Sequence, residues 1–403
     1  MNQPLTDQEI KSILESWSFW TRPLPTSVPR KLAQQVRVTP DLVTVIQGVR
    51  RCGKSTLLQQ LLDTNNINPQ QAVFVNFEDP RLINYLDYNL LEQIYRHCDA
   101  TLKGPLLFLF DEIQNVDQWQ KWLNMRLQQQ SQHSFVITGS NSQLLGGELA
   151  SSLTGRYLKY ELMPFDFDEY KQLEKRGNVN RFLLQGGFPA TLKYPEPEKL
   201  LQQYFYDIVE RDIRERVSAK SSKPLSVLAK IVFESVGSEL SLRRLAGVTH
   251  LSPETVNLYL QACQDAYLLF SCSYFAFSEA KRQRHNRKYY AIDTGLRGVV
   301  SSKTGSDVGK NFENLVYLML RKQTEKIFYW SGKHGEVDFV VESNRGITPI
   351  QVTVEEPLER HHQALEEFYR SFPQAQESVF VTLKSFAKFL QISFSGIDNH
   401  SYS

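Results

Sequence analysis

At 403 residues and about 150 residues per domain, the chain has room for two to three domains with cores of their own, which excludes a single small module. Hydrophobic residues at 41% and charged residues at 22% are globular usage and exclude a disordered, collagenous or coiled-coil chain. Forty-six Lys and Arg against 44 Asp and Glu leave a net charge of +2, so any attraction to nucleic acid or membrane must be local.

The opening MNQPLTDQEI lacks the basic start and apolar stretch of an export signal, and the longest apolar runs, such as 105–110, are too short to span a bilayer. A soluble, cytoplasmic protein without membrane contact is expected, with residues 1–40 as a lead-in. Cys52, Cys98, Cys263 and Cys272 show no paired metal spacing and are expected to be reduced thiols. From 42 to 162, short apolar runs alternate with helical patterns, the signature of a parallel sheet covered by helices. Strands are expected at 42–47, 73–77, 106–111, 135–138 and 157–162, with amphipathic helices near 90–97 and 118–129.

Directly after the first of these strands, Gly48-Val49-Arg50-Arg51-Cys52-Gly53-Lys54-Ser55 matches G-x-x-x-x-G-K-[ST] at each fixed position, and a helical pattern follows over 55–62. Glycines let the backbone curl so that amide N–H groups point inward at phosphate oxygens, and the helix N-terminus adds partial positive charge. Gly48, Val49, Arg50, Arg51, Cys52, Gly53, Lys54, Ser55 and Thr56 are therefore expected to bind nucleotide. Lys54 would reach the β- and γ-phosphates, and the Ser55 hydroxyl would ligate Mg²⁺. The side chains of Arg50 and Arg51 either touch ligand or point into solvent.

The strand 106–110 ends in Asp111 and Glu112. At such a strand end the first carboxylate falls beside the Mg²⁺ shell and the second can deprotonate an attacking water, which makes Asp111 the metal residue and Glu112 the catalytic base. An adjacent acid pair favours hydrolysis over binding alone. The strand 135–138 ends in Thr138-Gly139-Ser140-Asn141. If it lies between the other two, Ser140 or Asn141 would bond the γ-phosphate or the water; otherwise they form a polar turn.

These runs, with Leu153-Thr154-Gly155-Arg156 and the turn Gly186-Gly187-Phe188-Pro189, resemble the prokaryotic AAA-type ATPases that carry a C-terminal nuclease-like domain and are related to the archaeal ATPase group. The resemblance runs over nearly the whole chain. It implies ATP and Mg²⁺ as cofactors, an extra strand between the phosphate-loop strand and the acidic strand, and a helical lid after the core. It also lends weight to Arg156, whose planar guanidinium would stabilise the leaving γ-phosphoryl group in cis or from a neighbouring copy in a homo-oligomer. A surface salt bridge is the other reading. The alternating charges of 210–216 read as a solvated helix face.

The fold class expected is α/β: a P-loop NTPase core over 41–164, a helical lid over 165–222, a winged-helix-like module over 223–290 and a restriction-endonuclease-like α/β domain over 291–403. Within the third, 241–246 and 251–260 read as the central helices of a helix-turn-helix, but the second carries no Lys or Arg to read DNA. Downstream, Lys281, Arg282, Arg284, Arg287 and Lys288 form a basic strip that is either a wing binding DNA or a solvated loop. In the last domain, Glu313, Glu336 and Asp338 follow the order of nuclease acids. The usual acid and lysine of the final strand are replaced by Gln351 and Thr353, so a nuclease fold with little or no activity is expected. His361 and His362 are expected at the surface. The functional expectation is a Mg²⁺-dependent ATPase that switches conformation, acting on or with nucleic acid. The rivals are an ATP-licensed DNA nuclease and a nucleotide-gated DNA binder without cleavage.

Overall fold

The computed structural model describes residues 4–18, 27–140, 153, 155–301 and 307–394. The chain forms two compact units, one of residues 1–175 with 265–267, the other of residues 176–264 with 268–403.

In the first unit β1 (Val43–Gln47), β2 (Ala72–Asn76), β3 (Leu107–Asp111), β4 (Ser134–Gly139) and β5 (Tyr157–Glu161) form a sheet in the order β2-β3-β4-β1-β5. Every neighbouring pair is parallel. The strand inserted between β1 and β3 is β4, as the resemblance implied. Strands β1 and β3, which flank β4, are buried along their whole length, which explains why their apolar residues run without alternation.

Helices α1 (Asp7–Trp17), α2 (Lys31–Gln35), α3 (Lys54–Thr64), α4 (Tyr88–Thr101), α5 (Trp119–Gln128) and α6 (Phe167–Leu173) belong to this unit. Their starts follow local chemistry. Thr6 and Glu9 form a capping box on α1, Asp87 accepts from the first amides of α4, and Asp166 with Glu169 boxes α6. Between sheet and α4–α5, Phe108 stacks on Phe135 at 5.4 Å, and Tyr95 stacks on Phe108 at 5.5 Å.

The second unit begins with α7 (Val179–Gln185), α8 (Pro197–Asp207), α9 (Lys223–Glu234), α10 (Leu242–Thr249) and α11 (Pro253–Asp265). There follow β6 (Leu269–Tyr274), α12 (Glu279–Arg284), β7 (Lys288–Ala291), α13 (Thr294–Val300), α14 (Val308–Arg321), β8 (Ile327–Ser331), β9 (Glu336–Ser343), β10 (Gly346–Val352), α15 (Glu359–Ser371) and β11 (Val379–Val381). Six strands make one sheet in the order β11-β10-β9-β8-β6-β7. Strand β8 was not anticipated.

Two expectations are corrected here. The basic strip is not a solvated loop: its first part is the short helix α12, and its last residue, Lys288, opens β7 with a fully buried side chain. Periodicity over so few residues does not show that β7 pairs with β6, Cys272 opposite Lys288, and so draws the lysine inward. His361 is also buried, its Nδ1 accepting from the Leu358 amide, because the first turn of α15 folds it back over its own N-terminus. The ring of His362 lies 5.2 Å from that of Phe380.

Candidate nucleotide-binding site

The loop leaves β1 through a contact that only glycine tolerates. A Cβ on Gly48 would lie 2.1 Å from the carbonyl oxygen of Leu162. At the other end Gly53 has φ of 100° and caps α3, so the chain turns into the helix through left-handed backbone open to glycine. Arg51 also has a positive φ, 72°. Lys54, 6% exposed, donates from Nζ to the Gly48 carbonyl at 3.1 Å and stands 3.3 Å from Glu112 Oε1. Of the two loop arginines, Arg50 pairs with Glu78 at 3.0 Å. Cys52 is buried and its thiol is pushed up by burial, so it packs rather than reacts.

The acids come from the C-terminal end of β3. Asp111, 2% exposed, accepts from Ser55 Oγ at 2.6 Å on Oδ2 and from Thr138 Oγ1 on Oδ1. Thr138 in turn accepts from the Glu112 amide at 3.1 Å, so one hydroxyl at the end of β4 fixes both acids. Glu112 sits at φ of 56°, a left-handed conformation costly for a non-glycine residue, and its Oε2 accepts from Gln114 Nε2 at 2.6 Å.

Electrostatics separate the pair. Burial and the Glu112 charge push the Asp111 carboxyl up, against the hydroxyls of Ser55 and Thr138 and the Lys54 charge. For Glu112, burial acts upward, but Lys54, Gln114 and Arg50 outweigh it and hold the carboxyl below its ordinary range. Neighbouring carboxyls with opposite shifts are a recurring arrangement where two acids take two roles.

The donor set at Ser55 and Asp111 suits Mg²⁺: hard oxygens, a hydroxyl and a buried carboxylate 2.6 Å apart. Mg²⁺ takes one or two protein oxygens and completes its shell with phosphate and water, so a group of three protein ligands, which is absent among the described residues, is not needed. When bound, the ion would neutralise charge on the phosphate oxygens.

Other expected residues fall apart from this cluster or outside it. Ser140 is buried just beyond β4, and Asn141 lies outside the described residues. Arg156 is exposed, with Nη1 3.5 Å from Asn124 Oδ1 on α5. Sequence reasoning missed Arg30, which is 4% exposed. Its guanidinium donates to the carbonyls of Cys52 at 2.8 Å and Met163 at 2.6 Å and to Glu169 Oε1 at 3.0 Å, bracing the phosphate loop from below. Tyr267, part of this unit, donates to Gln47 Oε1 at 3.1 Å beside the loop. Neither residue stands in a recognisable local pattern. Thr138 does, since a strand end next to two acids is where a positioning hydroxyl belongs.

In the second unit, Glu313, Glu336, Asp338 and Gln351 border a cavity of about 670 Å³. Gln351 braces β9, accepting from the Asp338 amide at 3.4 Å and donating to the Glu336 carbonyl at 3.1 Å. Lys288 faces the same acids, 3.0 Å from Glu336 Oε2. The residues of the strip that remain open to solvent are Lys281 and Arg284; Arg287 is half-buried, and Arg282 lies over the Phe328 ring at 4.4 Å.

A family described as an AAA domain matches residues 41–171, and two described as domains of unknown function, DUF8612 and DUF4143, match 176–307 and 308–392. An uncharacterized protein of Methanocaldococcus jannaschii is 33% identical over 334 residues, which cover 76% of this chain and 74% of that one. An uncharacterized protein of Haemophilus influenzae is 29% identical over 339 residues, covering 80% and 84%. Among solved structures, Cdc6p from Pyrobaculum aerophilum is similar over 67% of this chain and 88% of its own, at 11% identity and a TM-score of 0.28, and no residue role is carried over from it. With its phosphate loop, its acid pair and these matched segments, the chain belongs to the AAA-type P-loop ATPases that carry a C-terminal DUF4143 domain.

Proposed function

We propose that the chain is a Mg²⁺-dependent ATP hydrolase whose nucleotide cycle switches the conformation of its remaining parts. The observation that carries this reading is the bonded chain Ser55–Asp111–Thr138–Glu112–Lys54. It joins the phosphate loop to both acids through one strand-end hydroxyl. In the reaction, Lys54 places its ammonium on the β- and γ-phosphate oxygens, and the loop amides and the start of α3 hold the rest of the triphosphate. Glu112 takes the proton of the attacking water. A carboxylate held ionised by a neighbouring ammonium is available as an acceptor at neutral pH, and its fixed backbone aims it. Asp111 and Ser55 would hold Mg²⁺, and Thr138 keeps Asp111 in register.

The test is Glu112→Gln. It should retain ATP affinity while phosphate release falls by roughly a hundredfold or more. Unchanged phosphate release would remove Glu112 as the base.

Action on nucleic acid is a further part of the proposal and rests on the exposed Lys281 and Arg284 alone. Cleavage by the C-terminal part is not proposed, because Gln351 is committed to bracing β9 and Thr353 offers no charge.

A further inference from the structure

Both oxygens of the Glu112 carboxyl are engaged: Oε1 stands 3.3 Å from Lys54 Nζ, and Oε2 accepts from Gln114 Nε2 at 2.6 Å. The second contact joins side chains only two residues apart. Along a helix such neighbours do not face each other. Here the left-handed backbone of Glu112 and the tight turn Ile113–Asn115, closed by the Asn115 amide on the Glu112 carbonyl at 3.2 Å, bring them together. Buried Ile113 and Val116 anchor the turn on either side of Gln114.

The partner decides which way the amide points. An ionised carboxylate only accepts, so Gln114 turns its NH₂ group to Glu112 and keeps its oxygen on the other side of the same carbon. That oxygen, Gln114 Oε1, is buried and accepts from no donor among the described residues. Such an orphan acceptor costs stability, and packing does not ask for it, because an apolar side chain of the same length would fill the position without the cost. A chemical use is the better explanation. A water attacking phosphorus turns a lone pair towards it and has two hydrogens to place. Once Lys54 moves onto phosphate oxygens, Glu112 Oε1 is open to one of them and Gln114 Oε1 to the other. A glutamine amide is among the groups that orient the attacking water in phosphoryl transfer.

We propose that Gln114 orients the attacking water: its Nε2 holds Glu112, and its Oε1 receives the hydrogen that Glu112 does not take. In this step a lone pair of the water oxygen forms the bond to the γ-phosphorus. The bond from that phosphorus to the bridging oxygen breaks, its electron pair passing to ADP, and one water proton goes to Glu112 Oε1. The other hydrogen stays on the oxygen that becomes part of inorganic phosphate, so Gln114 makes and breaks no covalent bond. The inference rests on the reading of the first unit as an ATP hydrolase with Glu112 as its base.

The experiment measures kcat by phosphate release and ATP affinity by calorimetric titration on the full chain, for wild type, Gln114→Met, Glu112→Gln and the double variant. Gln114→Met keeps the length of the side chain and removes both polar atoms. It should lower kcat at least about tenfold while ATP affinity stays within about twofold of wild type, the split expected of a contact made only in the transition state. On the Glu112→Gln background the same change should cost less than about threefold, because the two groups act on one water. Wild-type kcat in Gln114→Met overturns the proposal. So does an equal loss on both backgrounds, or a loss of ATP affinity as large as that of kcat, which would mark a structural role. A wild-type chain that releases no phosphate from ATP, or a Glu112→Gln chain as fast as wild type, removes the ATPase reading itself and this inference with it. If Gln114→Met does not fold, Gln114→Ala is read in the same way.

Discussion

Arg30 ties three stretches of the first unit together with one guanidinium, meeting partners 22, 133 and 139 residues further along the chain. It is buried, paired with buried Glu169, and lies 4.9 Å over the Phe165 ring. Removing one member of a buried ion pair strands the other charge, so Arg30→Met should cost about 3–5 kcal/mol, measured by urea unfolding. Arg30→Met/Glu169→Gln should recover part of that loss. Equal stability of Arg30→Met and wild type would show that the guanidinium is not a brace. That Lys54, Ser55, Asp111 and Glu112 come together was legible in the sequence because each stands in a short local motif at a strand end. Arg30 was not, because its partners are distant and their backbone carbonyls carry no residue-type signal. Lys288 was misread for a related reason: among neighbouring cations its type suggested a surface charge, whereas strand pairing decided its burial.

At the scale of elements, the core sheet was readable strand by strand, and the insertion of β4 followed from the resemblance. The turn 186–189 was recognisable as a motif, but its purpose was not. It meets Asp293, which precedes α13: Gly187 donates its amide to Oδ2 at 2.6 Å, and Leu296 donates to Oδ1 at 2.7 Å. Gly186 has φ of 71°, and a Cβ there would lie 2.1 Å from Oδ1. Burial raises the Asp293 carboxyl to about 6, against the amide hydrogen bonds that pull it down. Its folded value exceeds its unfolded one, so its contribution to stability is full below about pH 4 and is lost as the pH rises through 6. Measured from pH 4 to 7, wild type should lose melting temperature relative to Asp293→Asn as the pH rises. A difference between the two chains that does not vary with pH would contradict this assignment.

For the whole molecule, the net charge of +2 confines the proposed action on nucleic acid to a local patch, in which Lys281 and Arg284 are open to solvent. With Lys288 buried and Arg282 packed on Phe328, neutralising Lys281 and Arg284 is the change that should weaken a DNA mobility shift. If DNA mobility is the same in wild type and in the Lys281→Ala/Arg284→Ala chain, the strip has no role in binding. Among the described residues no helix is long and apolar enough to cross a membrane.

In the proposed function the curled amide loop, its lysine and the two acids act as one triphosphate grip. Calorimetric titration of the purified chain with Mg·ATP tests this most directly. Wild type should bind one nucleotide per chain with a measurable heat, and Lys54→Ala, folded by circular dichroism, should show none. A folded wild-type chain that gives no heat, or a Lys54→Ala chain that binds as tightly as wild type, would contradict the account.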